Sequence, residues 1–188
     1  PDLIVDITGA NDPADAPPDY QLPTTDLPNP DLEIVPAEPS IVEGDTDQFI
    51  CVVYDPQLTE DQFLDGIHIV PDNAAIAHHA LLFRVSRDEA NALSGGEERF
   101  ECFGGPPGDL INAWAPGMLP LELPATVGMP LGADQVIVVQ MHYHPTGITV
   151  EEDRSKIQLR YMDQEPEWAF TIALPGNESS APGLLPGP

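Results

Sequence analysis

With 188 residues the chain has the size of one domain and is long enough to bury a real core. Hydrophobic content is an ordinary 41%, but 23 prolines and 15 glycines exclude long helices and point to short strands joined by turns. The formal charge of −26, from 32 acidic residues against six Lys and Arg, repels phosphate backbones and argues against nucleic acid as a partner.

No basic residue precedes Arg84. So acidic a surface suits solubility in salty surroundings, where counterions screen self-repulsion, or else attraction of cations or a basic partner. No apolar run approaches the roughly 20 residues that a helix needs to cross a bilayer. The sequence opens on Pro1 without a signal peptide, as expected for a processed product or an excised segment.

Residues 1–46 carry nine prolines in their first 40 positions, mixed with Asp and Glu and with short apolar pieces such as Leu3-Ile4-Val5. This arm is expected to be extended, partly polyproline II, laying an edge strand or two along the main body. Such an arm could equally add a strand to a neighbour's sheet edge and drive self-association.

The main body is expected over residues 47–175. Phe49, Ile50, Val52 and Val53 predict its first strand, and Leu58 to Phe63 an acidic loop. Asp65 to Val70 predicts a second strand, closed by the turn residues Pro71-Asp72-Asn73. Ile76 to Val85 reads as a third. Arg87 to Leu93 predicts one short helix, with Ser86 as N-cap and Ser94-Gly95-Gly96 as its end. A Gly/Pro loop spans Phe103 to Gly108, a short strand Leu110 to Trp114, and Ala115-Pro116-Gly117 turns the chain. Val136 to His144, Ile157 to Met162 and Ala169 to Leu174 complete the strands, and residues 176–188 form a Pro/Gly/Ser-rich tail with a sequon at Asn177. Many short strands punctuated by turns predict an antiparallel sandwich, all-β apart from the one helix.

Four of the five histidines fall in two strand-like clusters, His78-His79 and His142-x-His144. Imidazole is the commonest metal ligand, so two clusters on separate strands can converge on one ion. His142 and His144 share a strand face, whereas His78 and His79 point to opposite faces unless the backbone bulges there. Spacing alone leaves a metal site and paired surface histidines both open. Cys51 and Cys102, with no C-x-x-C pair, form either one disulfide in an exported setting or two buried thiols.

The residues flanking the histidines carry a resemblance. The segment HHALLF (78–83) resembles the first copper-binding stretch of the copper type II, ascorbate-dependent monooxygenases, a family that includes peptidylglycine α-hydroxylating monooxygenase and dopamine β-monooxygenase. Three further stretches follow in the family's order: Cys51 within QFICVV, Cys102 followed by NAWAPG, and VVQMHYHP (138–145) preceded by VGMPLG. The resemblance covers about residues 47–160 and only the family's N-terminal copper domain.

It implies an antiparallel jelly-roll sandwich with copper held by His78, His79 and His142, a Cys51–Cys102 disulfide, and His144 as a spare ligand or an outer partner. It also implies ascorbate as external reductant and a secreted, periplasmic or cell-surface location. The family's second copper domain, where oxygen is activated, has no counterpart here: no histidine follows His144. Hydroxylation would need a second copper domain or subunit, so the chain resembles the electron-transfer half of a hydroxylase. A structural or assembly module, joining subunits through the arm without turnover, is the alternative.

Other groups read more simply. Met118, Met129, Met141 and Met162 suit core packing, as do Trp114 and Phe83, and His68 reads as a lone strand histidine. Ser86, Thr126 and Ser155 have no histidine placed to activate them. Glu97-Glu98 and Glu151-Glu152 read as solvated loops.

Overall fold

Period-two alternation of apolar side chains builds two main sheets in the computed structural model, which describes residues 26–172. In chain order the elements are β1 (Leu32–Ile34), β2 (Ser40–Val42), β3 (Gln48–Tyr54), β4 (Gln62–Val70) and β5 (Ala77–Ser86), then α1 (Arg87–Ser94) and β6 (Arg99–Glu101). There follow β7 (Asp109–Trp114), β8 (Leu121–Glu122), β9 (Val127–Leu131), β10 (Gln135–Tyr143), β11 (Glu151–Asp153), β12 (Lys156–Tyr161) and β13 (Trp168–Ala169). One sheet runs β6-β3-β10-β5-β7; the other runs β1-β12-β4-β9-β13, with β8 also on β4, and β11 pairs with β2 separately. The fold is therefore an all-β sandwich.

Strand β10 is buried from Val136 to Tyr143, on both of its faces. Ile137, Val139, Met141 and Tyr143 face the other sheet and pack with Val52, Leu82, Ile67, Ile69, Ile157 and Leu159 in the main core. Val136 and Val138 lie on the outer face and pack with Cys51, Cys102, Val85 and Ala90 of α1 in a second, smaller core. The helix and a Cys51–Cys102 disulfide thus roof part of the five-stranded sheet. Ser86 caps α1 by accepting the Glu89 N–H while its hydroxyl donates to the Glu89 carboxylate, and Gly95 closes the helix in the left-handed region.

Several expectations are corrected. Strand β4 begins at Gln62, so the acidic loop ends three residues after Leu58 rather than at Phe63. Strand β9, which contains Gly128 and Pro130, went unforeseen because both residues read as strand breakers. Pro130 is tolerated because β13 pairs only with Val127 and Gly128, while β4 takes the other edge of β9. A Cβ on Gly128 would lie 2.6 Å from Met162 Sδ and 2.8 Å from Pro166 Cγ, so any larger residue would have to displace them. The β9–β13 pair is parallel, unlike the antiparallel pairing elsewhere; the last strand described is Trp168–Ala169, and residues 173 and 174 of the expected strand lie outside the described residues. Met118 is exposed rather than in the core, whereas Met129 and Met141 are buried. Glu151 and Glu152 lie in β11, not in a loop, and Glu98 accepts the Ala37 N–H at 2.9 Å. Residues 1–25 and the tail with its sequon lie outside the described residues.

Within the arm, residues 26–46 lie along the body of the same chain. Strand β1 pairs with β12 and β2 with β11. Four of the six basic residues hold this segment: Arg160 donates to Pro28 O, Lys156 pairs with Glu33, Arg154 donates to Pro36 O and Ala37 O, and Arg99 donates to Glu38 O. The other two, Arg84 and Arg87, pair with Asp109 and Asp55. Every Lys and Arg is thereby committed to an internal contact, and the remaining acidic surface repels itself. Raising sodium chloride from about 0.02 M to about 1 M should lift the thermal midpoint by roughly 5 °C, as measured by circular dichroism.

Among the described residues one carboxylate is fully buried. Asp153, 2% exposed, accepts from the Tyr143 hydroxyl at 2.7 Å, the Ser155 hydroxyl at 2.7 Å and the Asn73 N–H at 2.9 Å. Burial, and then the Asp153 charge, push the Tyr143 hydroxyl well above its ordinary pKa, so it remains a donor. Asp153→Ala should destabilise the fold by about 3 kcal/mol in urea titration, because it strands these buried donors.

A candidate metal centre on the outer sheet face

In the antiparallel register His142 of β10 lies between Phe49 of β3 and His79 of β5. Directly opposite residues share a sheet face, so His79 and His142 project together on the outer face, beyond the Gln140 and Val138 rows. The β5–β10 register then slips: His142 pairs with His79 but Tyr143 pairs with Ala77. His78 is the extra residue of this bulge, and the bulge turns it onto the same face as its neighbour. The distortion that adjacent histidines require is thus present, and the His144 N–H to Ile76 O bond at 2.8 Å resumes pairing beyond it.

The three rings present the same atom to one another. Nδ1 of His78 lies 3.1 Å from that of His79 and 3.2 Å from that of His142, and the last two are 3.1 Å apart. Hydrogen bonding cannot satisfy such a triangle. Each neutral nitrogen is either a donor or an acceptor, so among three at least two must play the same role. A cation at the centre resolves the conflict, since all three lone pairs can then point inward. Sides of this length suit three metal–nitrogen bonds of about 2.0 Å. The trio can therefore hold a metal ion, and it is the group of three potential ligands found among the described residues.

Surroundings orient the rings. His142 is buried, His79 half-buried and His78 exposed, which leaves the site open on one side. Phe49 stacks on His142 with ring centres 4.3 Å apart and planes within 10°. Burial, reinforced by the neighbouring His142 and His78, lowers the His79 pKa and favours its ligating form. Asp47 Oδ2 lies 2.9 Å from His142 Nε2, a charge contact that favours a proton on Nε2 and so a lone pair on Nδ1. Asp47 Oδ1 lies 2.7 Å from His144 Nδ1, and the His144 contact, followed by that of His142, holds the Asp47 carboxyl below the usual range.

His144 stands apart from the trio, exposed and bonded to Asp47. His68 is buried in β4 of the opposite sheet. Cys51 and Cys102 are joined, with no free cysteine in the described residues. Sequence reasoning missed Asp47, Phe49, Gln140 and Phe103. Gln140 donates to Cys102 O at 2.6 Å, and Phe103 packs edge-on against Phe49 with ring centres 5.2 Å apart. The pairing of Phe49 with His142 follows from aligning β3 on β10, whereas no spacing signal marked Asp47. No protein-family model matches the chain, and no curated protein matches it either.

The disulfide holds the Cys102–Phe103 corner against the strand that carries Phe49. It closes a loop across a separation of 51 residues, and its loss should cost about 4 kcal/mol in the chain-entropy picture. Denaturant titration of a Cys51→Ala/Cys102→Ala double variant should show a loss of that order with the native circular dichroism spectrum retained.

Proposed function

We propose that this chain is an exported redox domain that binds one copper ion through His78, His79 and His142, related to the N-terminal copper domain of the ascorbate-dependent monooxygenases. The observation that carries the reading is the convergence of three Nδ1 atoms, two from a bulged pair and one from the neighbouring strand. Three imidazoles suit copper in both of its common oxidation states; zinc would also fit them, and the ordered run of four motifs tips the choice to copper. The Cys51–Cys102 bond supports an oxidising setting, and no helix of the described residues is long and apolar enough to cross a membrane.

When bound, copper supplies one-electron storage. The protein's own groups do the rest. Phe49 fixes the plane of His142, Asp47 sets a carboxylate beside its Nε2, burial favours the neutral form of His79, and exposed His78 leaves an approach for a reductant. Ascorbate is the reductant that the resemblance implies. Oxygen activation and carbon–hydrogen hydroxylation belong to a second copper domain or subunit, to which this domain would pass its electron.

Metal analysis after copper loading and desalting should give one equivalent in the parent protein. His142→Ala should retain less than about a tenth of it, since two imidazoles hold copper far more weakly than three. His144→Ala should keep the full equivalent and lose affinity by only about tenfold, the scale of a partner that acts through Asp47. Retention of tight copper by His142→Ala would refute the assignment.

A further inference from the structure

The rim of the histidine site carries an exposed aromatic ring with no role in holding the trio. Phe103 is 87% exposed, yet it sits edge-on against Phe49, which is stacked on His142. Its backbone is anchored by the disulfide at Cys102 and by the Gln140 bond to Cys102 O, and Gly104 and Gly105, both at positive φ, turn the chain sharply after it. This large apolar side chain, held in water by a braced corner near the half-exposed Ile41, offers a partner an apolar contact.

That surface has a defined shape and charge. Phe49 and Phe103 line a groove of about 520 Å³ together with Ile41, Asp47 and Glu101. Aromatic faces beside carboxylates attract ammonium and guanidinium groups, through the ring quadrupole and the negative charge together. The chain supplies no such group of its own, because all six Lys and Arg are engaged elsewhere.

We propose that this groove docks a basic protein, whose Arg or Lys side chain enters between Phe103 and the Asp47/Glu101 carboxylates. Charge complementarity selects that occupant: a chain of net charge −26 repels acidic partners at any distance within the screening length. In the copper reading, on which only this consequence rests, the docked protein is a one-electron donor. It is oxidised by one electron, the ion held by the trio is reduced by one, and no bond forms or breaks. The Phe103, Phe49 and His142 rings lie in contact from the groove to the site, so docking there places the donor at one end of a packed run of rings that reaches the trio. An anionic reductant such as ascorbate must approach against the same field.

Two measurements test this. The first uses the metal-free protein and a hexa-arginine peptide as probe, by titration calorimetry at low salt. Phe103→Ala/Glu101→Gln should weaken binding about tenfold, the combined scale of one cation–π contact and one charge pair. Phe103→Leu, which keeps bulk without the ring, should weaken it about threefold. Asp163→Asn/Glu165→Gln, which removes acids lining a groove by Phe63 of the other sheet, should change it less than twofold. Absence of binding, or equal losses in both double variants, would overturn the docking site.

The second measurement is stopped-flow reduction of the copper-loaded protein. The rate with hexaammineruthenium(II), a cation, should fall as salt rises and fall again in Phe103→Ala/Glu101→Gln, whereas the ascorbate rate should rise with salt. Opposite salt trends would overturn the proposal. Failure to take up copper at all would sink the metal reading while the peptide titration still judged the docking site.

Discussion

Everything distinctive about this molecule depends on one irregular step in the β5–β10 ladder. Regular pairing would send His78 to the sandwich interior, where a polar ring would displace apolar core and lack partners. The slip after His142 inserts one residue, brings His78 round to the outer face, and lets pairing resume where the His144 N–H meets Ile76 O. The slip needs a rigid frame to persist. Strand β10 provides it, held by β3 on one side and β5 on the other and covered on both faces by apolar side chains. The bulge is thus a local exception sustained by the most regular strand in the fold.

Charge organises the rest of the chain. Thirty-two acids against six basic residues would leave a segment like 26–46 repelled by the body it must lie on. The few cations are placed where that repulsion would be worst: Lys156, Arg154, Arg160 and Arg99 all reach groups of that segment. Three of them contact backbone carbonyls, which satisfies polar groups that a proline-rich stretch cannot pair in a ladder. The cost is that no cation remains to neutralise the face around the histidines, and that face stays negative. Structural economy along this segment therefore determines what may approach the histidines.

Much of this was legible in the sequence, and what was not has physical reasons. The strands around residues 50, 68, 80, 112, 140 and 159 follow from apolar alternation, and the helix from Ser86 and Gly95 at its ends. The histidine cluster was legible as residue types on two strands, together with the condition that a bulge must exist. Whether it exists depends on tertiary register, which composition does not encode. Strand β9 was hidden because Gly128 and Pro130 are penalised in an average strand, whereas here one gives clearance for Met162 and the other pairs with β4 but faces no partner on the β13 side. Asp47 was hidden for a different reason: it lies one residue before β3, and only the fold brings it to rings 95 and 97 positions later.

Placement on the outer face, rather than between the sheets, decides what the centre can be. An ion in the main core would be surrounded by Ile, Val and Leu and cut off from any exchange partner. On the outer face, the same sheet supports a buried ligand, His142, next to an exposed one, His78, so that the site is held from below and open from above. The smaller outer core, with its disulfide, supplies the wall that an outer face otherwise lacks. That wall ends at Phe103, whose ring continues the packing from Phe49 out into solvent. Two opposed demands on a group that could hold an ion, rigid side chains and open access, are thus met by placing the trio where a covered region of sheet meets an uncovered one.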